Sequence, residues 1–226
     1  MRRKGLGILL VLCLLACALT LAMSAADSTA AYTEIGTPEA LISLMTRANG
    51  ESWAGNYRLT ADITLPAGTA QNPIGNSTDK FTGIFDGNGK TISGVNLVDE
   101  ASASGTDANW GFFGYVQGGE IRDLTLKGTI STTGRRAGGF IGAINASAKV
   151  ENCTNYCSVD AFANAGGIVG FASPSAGVTI SGCKNYGTIT GTTYKNTGTG
   201  GIIGSTGTST ASTVSITISE CANYGA

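Results

Sequence analysis

The sequence has 226 residues, enough for one elongated domain or two small ones. Three features of its composition are unusual: only 13% of the residues are charged, 34 are glycine and none is histidine. Few charges and many turn-forming residues are typical of β-rich extracellular proteins and disfavour helical bundles. The absence of histidine excludes Ser-His-Asp triads, Cys-His pairs and most zinc sites.

Residues 1–26 predict a secretory signal peptide. Basic residues at positions 2–4 precede an apolar run over 5–23, and small residues at 24–26 offer a cleavage site. Two alternatives stay open. The apolar run is long enough to remain as a membrane anchor, and residues 14–17 (Leu-Leu-Ala-Cys) resemble the lipobox of a lipoprotein.

Removal of the leader leaves a weakly acidic chain. The leader holds three of the 14 basic residues, so 11 remain against 15 acidic ones, a net charge of −4. With no basic cluster, nucleic acid is a poor partner. No second apolar stretch is long enough to span a membrane, so we expect no membrane span after cleavage.

Residues 27–66 predict an N-terminal cap that consists of a helix and a strand. Thr37 is a suitable N-cap, Pro38 suits the first helical turn, and residues 40–47 supply apolar side chains. Residues 57–65 (YRLTADITL) alternate apolar and polar side chains, as a half-buried strand does. We expect this segment to cover the open first rung of the repeats that follow.

The main signal of the sequence is a repeat over residues 67–226. A glycine-apolar-apolar-glycine motif starts at Gly111, Gly139, Gly167 and Gly201, with a weaker copy at Gly83, and successive spacings are 28, 28, 28 and 34 residues. The longer last spacing predicts an insertion near 192–199, and residues 98–109 resemble an outward loop.

A second pattern recurs after each motif. One aliphatic position is followed three residues later by Val, Leu or Cys, and five residues later by Leu or Asn. The three aligned sets are Ile92, Ile121, Val150, Ile180 and Ile218; Val95, Leu124, Cys153, Cys183 and Cys221; and Leu97, Leu126, Asn155, Asn185 and Asn223.

Short β-branched runs separated by Gly, Asn and Ser predict strands joined by turns. Two or three such strands in 28 residues cannot bury a face alone, but stacked copies can. The sequence therefore predicts an all-β fold, a right-handed parallel β-helix with a short N-terminal capping helix. Because the chain stops within a repeat at 223–226, we expect a truncated rod or an end covered by a partner.

The repeat motifs, with FTGIFDGNGKTISGVNL (81–97) and YRLTADITL upstream, resemble those of bacterial surface proteins that carry GLUG repeats. The resemblance covers residues 34–226. Such repeats occur in large surface and adhesin-like proteins and in the non-catalytic region of IgA-cleaving zinc metallopeptidases. The resemblance therefore implies an adhesin-like module for binding or display in a bacterial envelope protein. The chain lacks the histidines of those peptidases' metal motif.

Acidic residues do not stack in this register. Arg122 is expected beside Glu151 as a surface ion pair with Asp123 near them, which disfavours the acidic cluster of a calcium-dependent lyase. The segment 86–89 (Asp-Gly-Asn-Gly) predicts a turn rather than a calcium loop. We expect no metal and no cofactor.

Cys153, Cys183 and Cys221 share one core position and predict a ladder of small apolar side chains. A disulfide between Cys153 and Cys183 stays open, because neighbouring rungs bring Cα atoms within bridging range. Asn155, Asn185 and Asn223 predict an inward ladder of amides that hydrogen-bond from coil to coil.

Tyr156, Tyr186 and Tyr224 directly follow these asparagines and should therefore point outward as one aromatic strip. Aromatic faces stack on sugars or anchor protein partners, but tyrosine also simply pairs well across strands. The strip is the candidate ligand-binding site, for a glycan or a host or cell-surface protein.

We therefore expect a non-enzymatic, secreted or bacterial cell-surface module. Two alternatives stay open: a carbohydrate-active β-helix enzyme of the polysaccharide lyase type, and the non-catalytic N-terminal region of a larger surface peptidase. In the second, downstream domains of the same protein would be the partners.

Overall fold

The computed structural model describes residues 31–48, 50–102, 106–173, 175, 177–192, 198–207 and 215–226. The predicted leader lies outside these residues, as does most of the predicted insertion at 192–199. Residues from Thr33 to Ala226 form one compact unit, a parallel β-solenoid of about five turns with one short helix near its N-terminus. The predicted parallel β-helix is thus confirmed.

The elements are short and follow one another closely. The helix α1 spans Pro38–Met45. The strands in chain order are β1 Thr33–Ile35, β2 Tyr57–Leu59, β3 Ile63–Thr64, β4 Ile84–Asp86, β5 Thr91–Asp99, β6 Asn109–Trp110, β7 Phe113–Val116, β8 Glu120–Arg122, β9 Thr125–Thr132, β10 Arg136–Gly138, β11 Ile141–Ile144, β12 Ala148–Glu151, β13 Thr154–Asn155, β14 Ser158–Ala161, β15 Asn164–Gly166, β16 Val169–Ala172, β17 Val178–Ser181, β18 Lys184–Asn185, β19 Ile189–Gly191, β20 Thr199–Gly200, β21 Ile203–Thr206, β22 Ile216–Ser219 and β23 Ala222–Asn223.

Four sheets run along the solenoid. Sheet A is ordered β1-β2-β4-β8-β12-β17-β22, and sheet B contains β3, β5, β9, β13, β14, β18, β19 and β23. Sheet C is ordered β6-β10-β15-β20, and sheet D is ordered β7-β11-β16-β21. The chain visits sheets A, B, C and D in turn; coils 2 to 5 start at β4, β8, β12 and β17, and the last partial coil at β22.

The helix forms where its caps predict. The Thr37 hydroxyl accepts a hydrogen bond from the Ala40 N–H at 3.3 Å, and Pro38 occupies the first turn, where its missing N–H costs nothing. Leu41, Leu44 and Met45 are buried, and the Trp53 indole N–H donates to the Leu44 carbonyl at 3.1 Å. The helix therefore packs its apolar side against the core near the first coil.

The predicted single strand over 57–65 is two strands instead. Tyr57–Leu59 (β2) pairs in sheet A with β1 and β4, whereas Ile63–Thr64 (β3) pairs in sheet B with β5. The chain turns a corner between them, at residues 60–62. The alternation of apolar and polar residues continues through the corner because the core lies inside both sheets.

The predicted register is confirmed in coils 3 to 5 but is wrong in coil 2. Ile121, Val150, Ile180 and Ile218 are aligned partners across β8, β12, β17 and β22. Opposite Ile121 on its other side, however, lies Phe85, and Ile92 lies opposite Leu126. The Gly87–Lys90 turn causes the shift: Ile92 follows Asp86 by six positions, whereas Leu126 follows Arg122 by four.

The predicted turn at 86–89 is confirmed, and the predicted loop at 98–109 starts later than expected. Asn88 and Gly89 both have positive φ, 51° and 71°, the conformation that Asn and Gly tolerate best. Strand β5 continues to Asp99, so the connection to β6 begins only after that residue.

The core changes in character along the rod. Coils 1 to 3 bury large aromatic rings, with Phe81 and Phe113 centroids 4.9 Å apart and Phe85 packed edge-on to Phe113 at 5.4 Å. Coils 4 and 5 bury aliphatic side chains together with small or polar ones, among them Cys153, Asn155, Cys183 and Asn185. The later coils therefore depend more on hydrogen bonding for their stability.

Candidate functional site

The three tyrosines of the predicted strip lie in one column on the outer face of sheet B. Each is placed by a backbone hydrogen bond to the preceding coil: Tyr156 N–H donates to the Leu126 carbonyl at 2.8 Å, and Tyr186 N–H to the Asn155 carbonyl at 2.8 Å. Their exposed fractions are 45% for Tyr156, 40% for Tyr186 and 63% for Tyr224. We call this column the tyrosine ridge.

The rings of the ridge stack on one another. The centroids of Tyr156 and Tyr186 are 4.8 Å apart with an interplanar angle of 9°, and those of Tyr186 and Tyr224 are 4.8 Å apart at 15°. The separation equals the spacing of neighbouring strands, because the rings repeat from coil to coil. Their mutual faces are therefore occupied, and a ligand would meet the ring edges and the hydroxyl groups.

A lysine lies next to Tyr156, at the N-terminal end of the ridge. Lys127 occupies the register position of the tyrosines one coil earlier, and its Nζ lies 5.5 Å from the Tyr156 centroid. Sequence reasoning missed this cation–π contact. The signal was available, since Lys127 follows Leu126 as Tyr156 follows Asn155.

Polar side chains flank the ridge on the same face. Thr129 and Ser158 are aligned across β9 and β14, with their hydroxyl groups 3.3 Å apart, and the exposed Lys184 precedes the ridge on β18. The face is therefore aromatic and hydroxyl-lined with two cations, Lys127 and Lys184. Such a face can donate and accept hydrogen bonds around an apolar strip.

The asparagines behind the ridge form a continuous ladder of amides. Asn155 Nδ2 donates to Asn185 Oδ1 at 2.8 Å, and Asn185 Nδ2 donates to Asn223 Oδ1 at 2.7 Å. Each amide also satisfies its own turn: Asn185 accepts from the Gly187 N–H at 3.2 Å and donates to the Gly187 carbonyl at 2.9 Å. Asn155 and Asn185 are fully buried, so the ladder fixes the direction of the adjacent tyrosines.

A pair of glycines accompanies each asparagine. A Cβ on Gly167 would lie 2.5 Å from Asn185 Cγ, and one on Gly139 would lie 2.5 Å from Asn155 Cγ. Leu126 replaces asparagine in coil 3, and the strand pairing leaves one glycine, Gly111, in the coil before it, where the coils before the asparagines have two. The glycine pair and the asparagine therefore belong to one motif, which the sequence analysis treated as two.

The cysteines lie two residues before the asparagines of the ladder. Cys153 and Cys183 are fully buried with free thiols, and each thiol donates to a nearby carbonyl, Cys153 to Glu151 at 3.2 Å and Cys183 to Ser181 at 3.3 Å. Burial raises the pKa of the Cys153 thiol well above its usual value and that of Cys157 to about 12. Cys153 and Cys157, held in the protonated form, are core side chains rather than nucleophiles or metal ligands, whereas the hydrogen bond with Cys153 lowers the pKa of the Cys183 thiol.

The acidic residues of sheet A are paired with basic ones. Asp86 accepts from Arg58 at 2.9 Å and from Arg122 at 3.1 Å. Arg122 is aligned with Glu151, as predicted, and it forms an ion pair with Glu120 at 3.0 Å. The shifted register explains why the link from Asp86 to the two arginines was missed.

Lys149 belongs to the same row of charged side chains on sheet A. It bridges to Glu151 at 2.7 Å and approaches Glu120 at 3.9 Å, and the hydrogen bond to Glu151 raises its pKa. Glu120 and Lys149 also line a shallow cleft of about 230 Å³ with Ser147 and Thr179. Within the residues that the structure describes, no group of three or more acidic or cysteine side chains is placed to hold a metal ion.

The residue that follows each strand of sheet A from β8 onward adopts a positive φ, which the turn into sheet B requires. Asp123, Asn152 and Glu220 have φ values of 52°, 51° and 55°, and Gly182, at the same position in coil 5, has 62°. Asn152 Nδ2 also donates to Asp123 Oδ1 at 3.1 Å. Asp123 therefore lies near the predicted ion pair, but its position is defined by the sharp turn between sheets A and B.

No family model matches the chain, so the resemblance to GLUG-repeat proteins stays a prediction. The chain is 34% identical over 161 residues, 63% of its length, to halomucin of Haloquadratum walsbyi, and it spans about 2% of the length of that relative. Among solved structures, it shares its fold with a Bacteroides ovatus protein provisionally named an immunoglobulin A1 protease. The TM-score is 0.53 with 16% identity, over 88% of this chain and 67% of that one.

Proposed function

We propose that the chain is a non-enzymatic β-helical repeat module of a secreted or cell-surface protein, adhesin-like, that binds through the tyrosine ridge. The observation that carries the proposal is the ridge itself, three exposed rings in register on a rigid sheet. Large aromatic side chains held in fixed positions lose little conformational entropy on binding, and they dominate many recognition surfaces. The partner would be a glycan or a host or cell-surface protein.

No helix among the described residues is long and apolar enough to cross a membrane. Two further observations support the assignment. The similarity to halomucin favours an extracellular or surface location. The carboxylates of sheet A are neutralised by Arg58, Arg122 and Lys149, which leaves them poorly suited to bind calcium in a lyase.

The test is binding of the purified chain to immobilised glycans and to host surface proteins, with Tyr186→Ala as the variant. Removal of the central ring interrupts the ridge, and we expect at least a tenfold loss of affinity, about the effect of one interface hot spot. The matched control is Thr190→Ala, an exposed residue of the same sheet. Equal binding by Tyr186→Ala and the unchanged chain would exclude the ridge.

Two alternatives have separate tests. Calcium-dependent cleavage of a polyanionic glycan by the purified chain would favour a polysaccharide lyase. The non-catalytic arm of a larger surface peptidase is suggested by the name of the Bacteroides protein. A histidine-bearing zinc helix elsewhere in the same polypeptide would favour that role, in which the further domains are the partners.

A further inference from the structure

We propose that the tyrosine ridge is also a site of covalent modification, at which one-electron oxidation couples neighbouring tyrosines into dityrosine. The bond would join coil 4 to coil 5 through Tyr156 and Tyr186, or coil 5 to the last partial coil through Tyr186 and Tyr224. This modification is independent of what the ridge binds.

Ring geometry is the first argument. Coupling requires two phenols whose carbons next to the hydroxyl can meet, and the stacked rings of Tyr156 and Tyr186 are 4.8 Å apart and nearly parallel. Because the rings are related by a translation along the rod, equivalent ring carbons are separated by about the same distance. Rotation about the side-chain torsions, which exposed ring edges allow, can close this gap.

Accessibility is the second argument. The three rings are 40–63% exposed, so an oxidant can reach them. Tyr57 is buried, and Tyr115 has Ala143 rather than another tyrosine as its aligned neighbour. Among the competing thiols, Cys153, Cys157 and Cys183 are buried behind the sheet, and Cys221 is partly exposed. Among the described residues, the ridge therefore combines exposure with a tyrosine neighbour.

The chemistry balances with hydrogen peroxide as the oxidant and a haem peroxidase as the catalyst. Each phenol loses one electron and its hydroxyl proton to give a tyrosyl radical. Two radicals couple at the ring carbons next to the oxygens, forming one C–C bond, and the hydrogens on those carbons move to the oxygens as the rings regain aromaticity. The two electrons and two protons released convert one hydrogen peroxide to two waters.

Such a bond would add a covalent link to a rod whose four cysteines after the leader are free thiols. It would join strands that otherwise hold together through short parallel pairings, such as Lys184 with Ala222 and Asn185 with Asn223. A cross-link between neighbouring coils restricts the unfolded chain, as a disulfide does. We therefore expect the modified chain to melt at a higher temperature.

Trypsin separates the three tyrosines into different peptides, which makes the test direct. Cleavage after Lys149, Lys184 and Lys195 places Tyr156 in peptide 150–184, Tyr186 in 185–195 and Tyr224 in 196–226. After treatment of the dilute folded chain with hydrogen peroxide and a haem peroxidase, we expect dityrosine fluorescence. Mass spectrometry should show peptide 185–195 linked to 150–184 or to 196–226.

Tyr186→Phe is the decisive variant, because phenylalanine retains the stack but cannot be oxidised to a phenoxyl radical. We expect it to lose both linked peptide pairs, while Tyr194→Phe, in the same tryptic peptide, and Tyr115→Phe retain them. Linked pairs in Tyr186→Phe, or the same yield from the folded chain as from the chain unfolded in urea, would overturn the proposal. Binding by Tyr186→Phe is measured separately.

Discussion

At the residue scale, the most consequential side chain is the central asparagine of the ladder. Asn185 lies between Asn155 and Asn223 and satisfies both backbone groups of Gly187. An amide is required here because it is both donor and acceptor, which lets every rung accept from one neighbour and donate to the next. A carboxylate could only accept, and an aliphatic side chain could do neither.

We expect Asn185→Leu to destabilise the chain by at least about 3 kcal/mol, although leucine occupies the equivalent position in coil 3. The Gly187 N–H and carbonyl and the Asn155 amide would lose buried partners, at about 1–3 kcal/mol for each group left unsatisfied. Urea unfolding followed by circular dichroism measures the change. Thr188→Ala, an exposed neighbour, is the control, and equal stability of Asn185→Leu and this control would contradict the role of the ladder.

A second residue-scale prediction concerns acid. Burial alone would raise the pKa of Asp86, but the Asn88 N–H and the guanidinium groups of Arg58 and Arg122 outweigh it and hold the pKa below its ordinary value of 3.8. A lowered folded pKa means that the ionised carboxylate stabilises the fold. Its contribution is complete above the ordinary pKa and is lost as the pH falls through the folded pKa.

Asp86→Asn should therefore be less stable than the unchanged chain at pH 7, and the difference should shrink as the pH falls below 3.8. Unfolding free energies measured in urea from pH 7 to strongly acidic buffer provide the comparison. The variant should keep some acid sensitivity, since Asp99 also has a lowered pKa, through hydrogen bonds from Ser102 and Thr132 that outweigh its burial. A pH-independent difference would refute the assignment.

At the element scale, the glycine pair decides whether sheets C and D can approach the asparagine ladder. A Cβ on Gly167 would clash with the Gly201 carbonyl oxygen and would lie 2.5 Å from Asn185 Cγ. The clash involves the backbone, so rotation of a side chain cannot relieve it. By contrast, a Cβ on Gly177 meets nothing within 4 Å.

These two glycines give a matched pair of variants. Gly167→Ala should destabilise the chain by about 3 kcal/mol, the upper range for overpacking, whereas Gly177→Ala should change stability by less than about 1 kcal/mol. Thermal melting of both variants tests this. If the clash acted only through the Asn185 side chain, Asn185→Ala would rescue Gly167→Ala, and we expect no such rescue.

The strands also show how much of the fold could be predicted from the sequence. The motif spacing predicted strands, and the aligned aliphatic residues of coils 3 to 5 have the predicted partners. In coil 2 the prediction failed because a longer turn moved Ile92 opposite Leu126, and turn length depends on backbone conformation rather than on hydrophobic pattern. The prediction of a single strand over residues 57–65 failed for a related reason. Apolar and polar residues keep alternating around the corner between two sheets, so the pattern does not show where the first strand ends.

At the scale of the whole molecule, the repeat period was enough to predict the stack, because only neighbouring coils can bury the inward side chains. The outward surface was less predictable. Register placed the three tyrosines in one column, but the face-to-face stacking that leaves their edges free depends on side-chain rotamers. The pairing of Asp86 with Arg58 and Arg122 required the true register of coil 2.

In the 226-residue chain taken by itself, a coil with one neighbour should be less stable than a coil with two. In sheet A, Ile180 on β17 is fully buried between two strands, whereas Ile218 on β22 is 48% exposed, and Tyr224 is the most exposed ring of the ridge. Repeat proteins have stabilities that are roughly sums of terms within repeats and between neighbours, so opening should begin at such a coil.

We therefore expect amide hydrogen exchange to be faster in β22, Ile216–Ser219, than in β12, Ala148–Glu151, which occupies the same sheet with partners on both sides. Exchange measured by mass spectrometry on peptic fragments compares the two strands in one sample. Ile218→Ala should accelerate exchange in β22 and leave β12 unchanged, because the effect of a substitution decays with each intervening coil. Uniform protection along the rod would instead indicate that the coils open together, as one cooperative unit.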